Sequence, residues 1–255
     1  MTVLVTGGAG YIGSHTVRHL RELGRRVVVL DSLETGRAES VLGAPLVVGD
    51  IADSDLVRRI CREHDVDQVI HFAAYKNVGE SMGEPHKYWH NNVGGTIELV
   101  AAVVAEGVRC FVFSSSCSVY GNPDIVPVKE SCEIRPESVY AQTKAMMEEL
   151  LRWYGVTHGL RSISLRYFNA AGASSDGVLG EDWRHSQNLI PVVMKAALGV
   201  SGPLEVFGAD YPTPDGTCIR DYIHVEDLAH AHARALDVLG DPSSPVTTAI
   251  NVGTG

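Results

Sequence analysis

The chain has 255 residues, of which 45% are hydrophobic and 20% charged, a composition that excludes disorder and allows one large core or two joined ones. Its formal net charge of −10 argues against nucleic acid or an anionic membrane as partner, while leaving room for a local basic pocket that takes a diphosphate. The longest obvious apolar run, Leu99 to Ala105, stops at Glu106, far short of the ~20 residues that cross a bilayer, so no membrane span is expected.

The chain enters a strand at once, Thr2 to Thr6, without the basic start, apolar stretch and cleavage site of an export signal. Cys61, Cys110, Cys117, Cys132 and Cys218 are odd in number and lack close pairs, which predicts reduced thiols and a cytoplasmic protein. After the first strand an amphipathic stretch, Tyr11 to Leu23, leads to a second β-branched run, Val27 to Leu30. Further strands are expected at Leu46 to Val48, Gln68 to Phe72, Cys110 to Ser114 and Ser162 to Arg166. Helices are expected at Asp53 to Glu63, Pro85 to Ala105 and Ser138 to Tyr154. This alternation predicts an α/β fold: a doubly wound parallel sheet with helices on both faces. From Asn169 to Asp221, Gly, Pro and Asp gather around short helical and strand segments, as in a smaller, loop-rich substrate lobe. A helix at Val225 to Leu239 and a strand at Thr248 to Val252 return the chain to the first lobe. The expected division is therefore 1–168 with 222–255 as nucleotide lobe, and 169–221 as substrate lobe.

The first strand runs into Gly7-Gly8-Ala9-Gly10-Tyr11-Ile12-Gly13 and then a helix. Glycines there permit a tight turn and close approach of backbone to a pyrophosphate, and the helix start offers N–H donors. Asp31 ends the next strand at the spacing of a ribose-binding acid. Its carboxylate accepts two ribose hydroxyls and repels a 2′-phosphate, which favours NAD over NADP. Arg37 would receive a 2′-phosphate only if Asp31 moved or were neutralised.

Tyr140 and Lys144 lie four apart at the start of an expected helix and so share a face. The segment Ser114-Ser115-Ser116-Cys117-Ser118-Val119-Tyr120-Gly121 leaves the end of a strand and can bring a hydroxyl beside Tyr140.

With these motifs the sequence resembles the extended short-chain dehydrogenase/reductase family, and within it the sugar-nucleotide 4-epimerases. The resemblance runs from Thr2 to Gly255. Its markers are Thr6 to His15, His71 to Lys76, Val78 to Ser81, Asn91-Asn92-Val93, Tyr140 to Lys144, Arg166 to Asn169 and Gly216 to Val225. It implies a Rossmann-type fold and a catalytic set of Tyr140, Lys144 and Ser116, with Ser118 as a bland neighbour. It implies that NAD lies against Gly7, Gly10, Tyr11, Ile12, Gly13, Asp31, Ser32, Leu33, Gly36, Asp50 and Ile51. Phe72, Ala73, Ala74, Lys76, Asn91, Tyr140, Lys144 and Phe168 complete that set. Substrate contacts implied in the same way are Lys76, Ser116, Tyr140, Asn169, Asn188, Leu189, Phe207 and Arg220. Arg220 also fits physically, because guanidinium binds phosphate oxygens in a fork.

The implied reaction interconverts UDP-glucose and UDP-galactose through a 4-keto sugar, in a homodimer formed by the helices of 85–105 and 138–154. Another UDP-sugar (pentose, uronate or N-acetylated hexose) stays open as substrate. A 4,6-dehydratase is disfavoured because an Asp-Glu pair would follow the catalytic hydroxyl residue, where Cys117 and Ser118 stand. A non-catalytic NAD-binding protein of the same fold is disfavoured by the intact Ser116, Tyr140 and Lys144.

No metal site is expected. His15 and His19 have ligand spacing but no glutamate between them, and read as surface histidines of a helix; His224, His230 and His232 read as structural. Cys117 reads as filling a small space, and Glu181 and Asp182 as solvated loop charges. The last residues, Ile250 to Gly255, resemble a strand entering a glycine turn, and family members continue from there. The resemblance thus implies a truncated form that keeps NAD, binds UDP weakly and turns over little until the downstream segment is restored.

Overall fold

The computed structural model describes every residue except His185, Pro242, 244–246 and Gly255, so the last residue of the expected terminal glycine turn lies outside the described part. β1 (Thr2–Thr6) is buried along its whole length, as a strand between two covered faces must be. α1 (Tyr11–Glu22) follows, then β2 (Arg26–Asp31), β3 (Leu46–Val48), α2 (Ser54–His64) and β4 (Val66–His71). After β4 come α3 (Val78–Gly83), α4 (Pro85–Tyr88) and α5 (Thr96–Ala105). β5 (Cys110–Ser116), α6 (Val139–His158), β6 (Arg161–Tyr167), β7 (Asn169–Ala171), α7 (Leu189–Ala197), β8 (Tyr222–His224), α8 (Val225–Gly240) and β9 (Thr247–Val252) complete the order.

Seven strands pair in parallel in the order β3-β2-β1-β4-β5-β6-β9. The order reverses between β1 and β4, and such a switch point leaves a crevice at the carboxyl ends of the strands. One face is covered by α2, α5 and α6, through Val57, Ile60, Leu99, Val103, Met147 and Leu151. The other is covered by α1 and α8, through Val17, Leu20, Ala233, Leu236 and Leu239. β7 and β8 form a separate parallel pair, Asn169 to Tyr222 and Ala171 to His224, which closes 169–221 into a loop set beside the sheet. Among the described residues no helix is long and apolar enough to cross a membrane.

Two expectations need correction. The single helix expected from Pro85 to Ala105 is interrupted by a π-helical turn, Trp89–Gly95, which carries Asn91 and Asn92. Two adjoining glycines with no side chain to pack and an asparagine pair that bonds elsewhere loosen the helical ladder there, and such turns recur at functional sites. His15 is 3% exposed rather than on the surface, with Nδ1 2.8 Å from the carbonyl of Tyr11. His19 lies 4.2 Å, ring to ring, from His230. Both follow from α8 packing on α1, a contact between segments some 210 residues apart that the periodicity of α1 alone does not carry.

Behind the serine-rich end of β5 sits a buried ion pair. Arg166 of β6 reaches Glu148 of α6 with Nε at 2.9 Å and Nη2 at 2.5 Å, with side-chain exposures of 8% and 13%. Ser115 donates to the same carboxylate at 2.5 Å, and Arg166 Nη1 donates to the hydroxyl of Tyr120 at 2.7 Å. Every polar atom of the pair thus has a partner, which is the condition for tolerating charge in a dry interior. Glu148→Ala is expected to lower unfolding free energy by about 3–5 kcal/mol, because Arg166 is left as an uncompensated buried charge. The double replacement Glu148→Leu with Arg166→Met should cost clearly less, and urea unfolding of the two variants tests the difference.

Candidate active site

The glycine loop, Asp31, Phe72, Ser116 and Phe168 all lie where parallel strands end, so the topology alone collects them at one crevice. Gly7 has φ +72°, and a Cβ there would stand 2.6 Å from the amide nitrogen of Ala73. At Gly13 a Cβ would stand 2.2 Å from the carbonyl oxygen of Gly7. Only bare backbone fits these two places, and Gly10 is the N-cap from which α1 starts with its N–H groups unpaired by any side chain.

Asp31 is 7% exposed. Its Oδ2 accepts from the amide of Ala9 and its Oδ1 from the amide of Leu33, each at 2.9 Å. One lone pair remains on each oxygen for a pair of ribose hydroxyls. Leu33 takes a left-handed φ of 59° to present that amide, and Ser32 and Gly36 flank it. Asp50 is exposed, with Oδ1 on the amide of Ala52, and Ile51 beneath it is buried. The strip from Phe72 to Lys76 follows β4 and is pinned by Asn92, which accepts from the amide of Tyr75 at 2.9 Å and donates to its carbonyl at 3.0 Å. Asn91 donates to Asn92 at 2.9 Å. This cradle fits a dinucleotide: bare backbone for a pyrophosphate beside a helix start, and a desolvated acid with spare acceptors for a ribose.

Three residues converge at the other end. Tyr140 enters α6 one residue after its start, with its amide on Ser81 Oγ at 3.2 Å. Burial, then the neighbouring Tyr167, hold its phenol well above the ordinary value of 10.0, and a hydrogen bond from Ser116 works the other way. Ser116 Oγ accepts from the amide of Ser118 at 3.2 Å and from Ser118 Oγ at 2.9 Å. Both its lone pairs are then used, which leaves its own proton to be donated. Ser118 therefore orients Ser116, a role that reading the sequence missed and that no single-residue signal carries.

Lys144, 3% exposed, donates to the carbonyl of Ser114 at 2.7 Å, and its Nζ lies 5.7 Å from the centre of the Tyr140 ring. Burial lowers its pKa from 10.5 to about 7, against a smaller upward pull from Glu148. Ser114 Oγ and the hydroxyl of Tyr167 form a further short hydrogen bond. Cys117, next in the loop, has its thiol pushed up to about 11 by burial and so stays protonated.

The expected substrate contacts are less gathered. Asn169 donates to the carbonyl of Asp221 at 2.8 Å across the β7–β8 pair. Lys76 and Asn188 both reach Glu181, at 3.1 and 2.7 Å. Glu181 has a side-chain exposure of 10%, so its reading as a solvated charge is corrected. Leu189 is 52% exposed at the start of α7, and Phe207 is 95% exposed in the loop beyond it. Arg220 Nη1 donates to its neighbouring carbonyl, Ile219, at 2.9 Å, and its charge is felt at Cys117 in the serine-rich loop. Among the described residues no group of three or more His, Cys, Asp or Glu is arranged to hold a metal ion.

Residues 3–253, which hold every residue just described, match the sequence profile of the NAD dependent epimerase/dehydratase family. The chain belongs to that family. A family relative, UDP-glucose 4-epimerase of Streptococcus mutans, is 47% identical over 259 residues, covering 100% of this chain and 77% of the relative. The crystal structure of UDP-glucose 4-epimerase from Brucella ovis in complex with NAD superposes with a TM-score of 0.96 at 47% identity, over 99% of this chain and 77% of the other. The enzyme from Stenotrophomonas maltophila, with bound NAD and formylated UDP-arabinopyranose, gives 0.95 at 42% identity, over 100% and 78%.

The buried Lys144 has a thermodynamic signature. Its folded pKa of about 7 lies below its ordinary 10.5, so between those values the unfolded chain binds more protons and stability rises with pH. Lys144→Met should therefore be more stable than the parent at neutral pH, by about 1 kcal/mol after the loss of the Ser114 hydrogen bond. The advantage should shrink as pH approaches the ordinary lysine value, and urea midpoints at the two ends of the window test it.

Proposed function

We propose that this protein interconverts UDP-glucose and UDP-galactose by reversible oxidation of carbon 4, with NAD reused in every cycle, and so serves galactose metabolism. The observation that carries this reading is the convergence of Tyr140, Ser116 and Lys144 at the strand ends beside the glycine cradle, in a chain 47% identical to a UDP-glucose 4-epimerase. The glycine cradle and Asp31 would hold NAD, which would supply a hydride acceptor for the hydrogen on carbon 4 and give the same hydride back to the opposite face of the 4-keto sugar. Tyr140 takes the 4-hydroxyl proton on its phenol oxygen and gives it back after the sugar has turned. Ser116, held by Ser118, keeps a proton aimed at the reacting oxygen as that oxygen loses and regains its hydrogen.

Burial alone favours neutral Tyr140 and, above about pH 7, neutral Lys144. The phenolate thus depends on added positive charge, which Lys144 supplies when protonated and the oxidised nicotinamide supplies when bound. Elimination chemistry finds no support, because Cys117 and Ser118 stand where an acid-base pair would be needed. The remaining assignments rest on this reading: Gly7 to Gly13, Asp31 to Gly36, Asp50, Ile51, Phe72 to Lys76, Asn91 and Phe168 toward NAD. Asn169, Asn188, Leu189, Phe207 and Arg220 face the UDP-sugar, with 169–221 as its lobe.

The protein expressed from its complete coding sequence should form UDP-galactose from UDP-glucose without added oxidant. Tyr140→Phe should keep bound NAD and lose at least ~10²-fold in turnover, with Ser116→Ala less affected, the scale of a general acid-base group against an orienting hydrogen bond. Chromatographic assay of the two nucleotides decides, and wild-type turnover in Tyr140→Phe ends the assignment.

We also assign a homodimer through α4 to α5 and α6. Ile97, Met146, Trp153 and Val156 are exposed on these helices at 39, 41, 52 and 67%, an apolar surface that a second copy would cover. Five unpaired cysteines suit a reducing compartment such as the cytoplasm. Light scattering at micromolar concentration should give twice the chain mass, and Trp153→Asp with Val156→Asp should halve it.

A further inference from the structure

Glu181 stands where the two halves of the assigned ligand set meet. It follows the bridge between Ala173 and Gly180 in a loop that is largely exposed, yet its own side chain is 10% exposed. Its Oε1 accepts from Lys76 Nζ at 3.1 Å and from Asn188 Nδ2 at 2.7 Å, and its charge adds to burial in raising the phenol pKa of Tyr11. The three neighbours come from separate parts of the fold: the start of α1, the strip after β4 and the N-cap of α7. The loop is also tied to the nucleotide side elsewhere. Tyr11 donates to the carbonyl of Gly172 at 2.6 Å, and Arg18 meets Asp176 at 2.9 Å. Arg37 lies 3.9 Å from Asp182, and Asn77 donates to Gln187 at 2.7 Å.

We infer that Glu181 is a positioning residue that couples the cofactor groove to the substrate lobe, by fixing Lys76 and Asn188 on a single carboxylate oxygen. The inference rests on the reading of Lys76 as an NAD contact and Asn188 as a UDP-sugar contact. The stoichiometry of donors supports it. A lysine ammonium has three N–H donors, and Glu181 uses one, leaving two for a ligand. An asparagine amide that gives one N–H to Glu181 keeps its oxygen and its second N–H free for another partner. A long lysine and an asparagine at a helix start both hold many rotamers when unpaired, and a charge-assisted bond to a shielded carboxylate selects one. A simple staple of the loop would need only the flanking contacts of Arg18, Arg37 and Asn77, which leave Lys76 and Asn188 untouched.

Double-mutant cycles with two binding readouts test the coupling. NAD release is followed after dilution, and UDP affinity by calorimetry, both on the protein expressed from its complete coding sequence. Glu181→Gln keeps the shape and removes the charge. It is expected to speed NAD release about 10-fold and to weaken UDP about 5-fold, the range for losing a charge-assisted hydrogen bond. In a Lys76→Met background the same change should alter NAD release less than about twofold, and in an Asn188→Ala background it should alter UDP affinity less than about twofold. Full effects of Glu181→Gln in both backgrounds would overturn the coupling and leave Glu181 a loop staple. If Lys76→Met and Asn188→Ala alone left NAD and UDP unchanged, the ligand reading itself would fall and the coupling with it. Should Glu181→Gln fail to fold, Glu181→Asp, which keeps the charge and withdraws it by one methylene, runs through the same cycles: loss of its effect in the two backgrounds supports the coupling, and full effects in both overturn it.

Discussion

Lys144 sits in a nearly dry site and gives its ammonium to one strand carbonyl, that of Ser114, at 2.7 Å. A lysine in such surroundings loses much of its affinity for a proton, and a good deal of the surrounding structure serves to keep it there. Glu148, one helical turn further along α6, bears the compensating charge, and Arg166 holds that carboxylate in place. Ser115, lying between the residue that binds Lys144 and the residue that meets Tyr140, is held by the same carboxylate. Helix, strand and serine-rich loop are thereby locked in one register, so that a shift in any of them would move both the amine and the phenol.

The parallel sheet supplies the other half of the geometry. Because all seven strands run the same way, every strand-to-helix connection on the reactive side opens at the same edge, and residues as far apart in sequence as Gly7, Asp31, Ser116 and Phe168 arrive there without any long loop. The segment 169–221 contributes differently. Contacts that tie this segment to the rest of the described chain include the ion pairs Arg18–Asp176, Arg37–Asp182 and Lys76–Glu181 and the hydrogen bond from Tyr11 to the Gly172 carbonyl.

Features that depend on neighbours in sequence were legible from it. The glycine loop, the acid at the end of β2, the alternation of β-branched runs with amphipathic stretches and the Tyr140–Lys144 spacing all sit within one or two elements. What was not legible depends on partners far along the chain. Glu148 looks like one more helix-surface carboxylate until Arg166, eighteen residues later and on a strand, is placed against it. His15 looks exposed until α8 covers it, and Glu181 looks solvated until Lys76, more than a hundred residues earlier, reaches it. The π-helical turn at Trp89–Gly95 has an apolar pattern close to that of an ordinary helix, and the register change emerges only when Asn92 turns to the backbone of Tyr75.

The position of β9 has a bearing on how the protein is made. It pairs with β6, whose residues precede it by more than eighty, and it carries Asn251, whose amide oxygen accepts from the hydroxyl of Tyr120 at the back of the serine-rich loop. A ribosome delivers these pieces in order. Until β9 is made, the β6 edge has no partner strand on that side, and the hydroxyl of Tyr120 lacks its acceptor on Asn251. An open edge of this kind recruits whatever strand is nearest, including that of another nascent copy on the same message. Translation speed through the codons for 168–246, and the occupancy of holding chaperones on that intermediate, therefore bear on how much active protein a cell obtains.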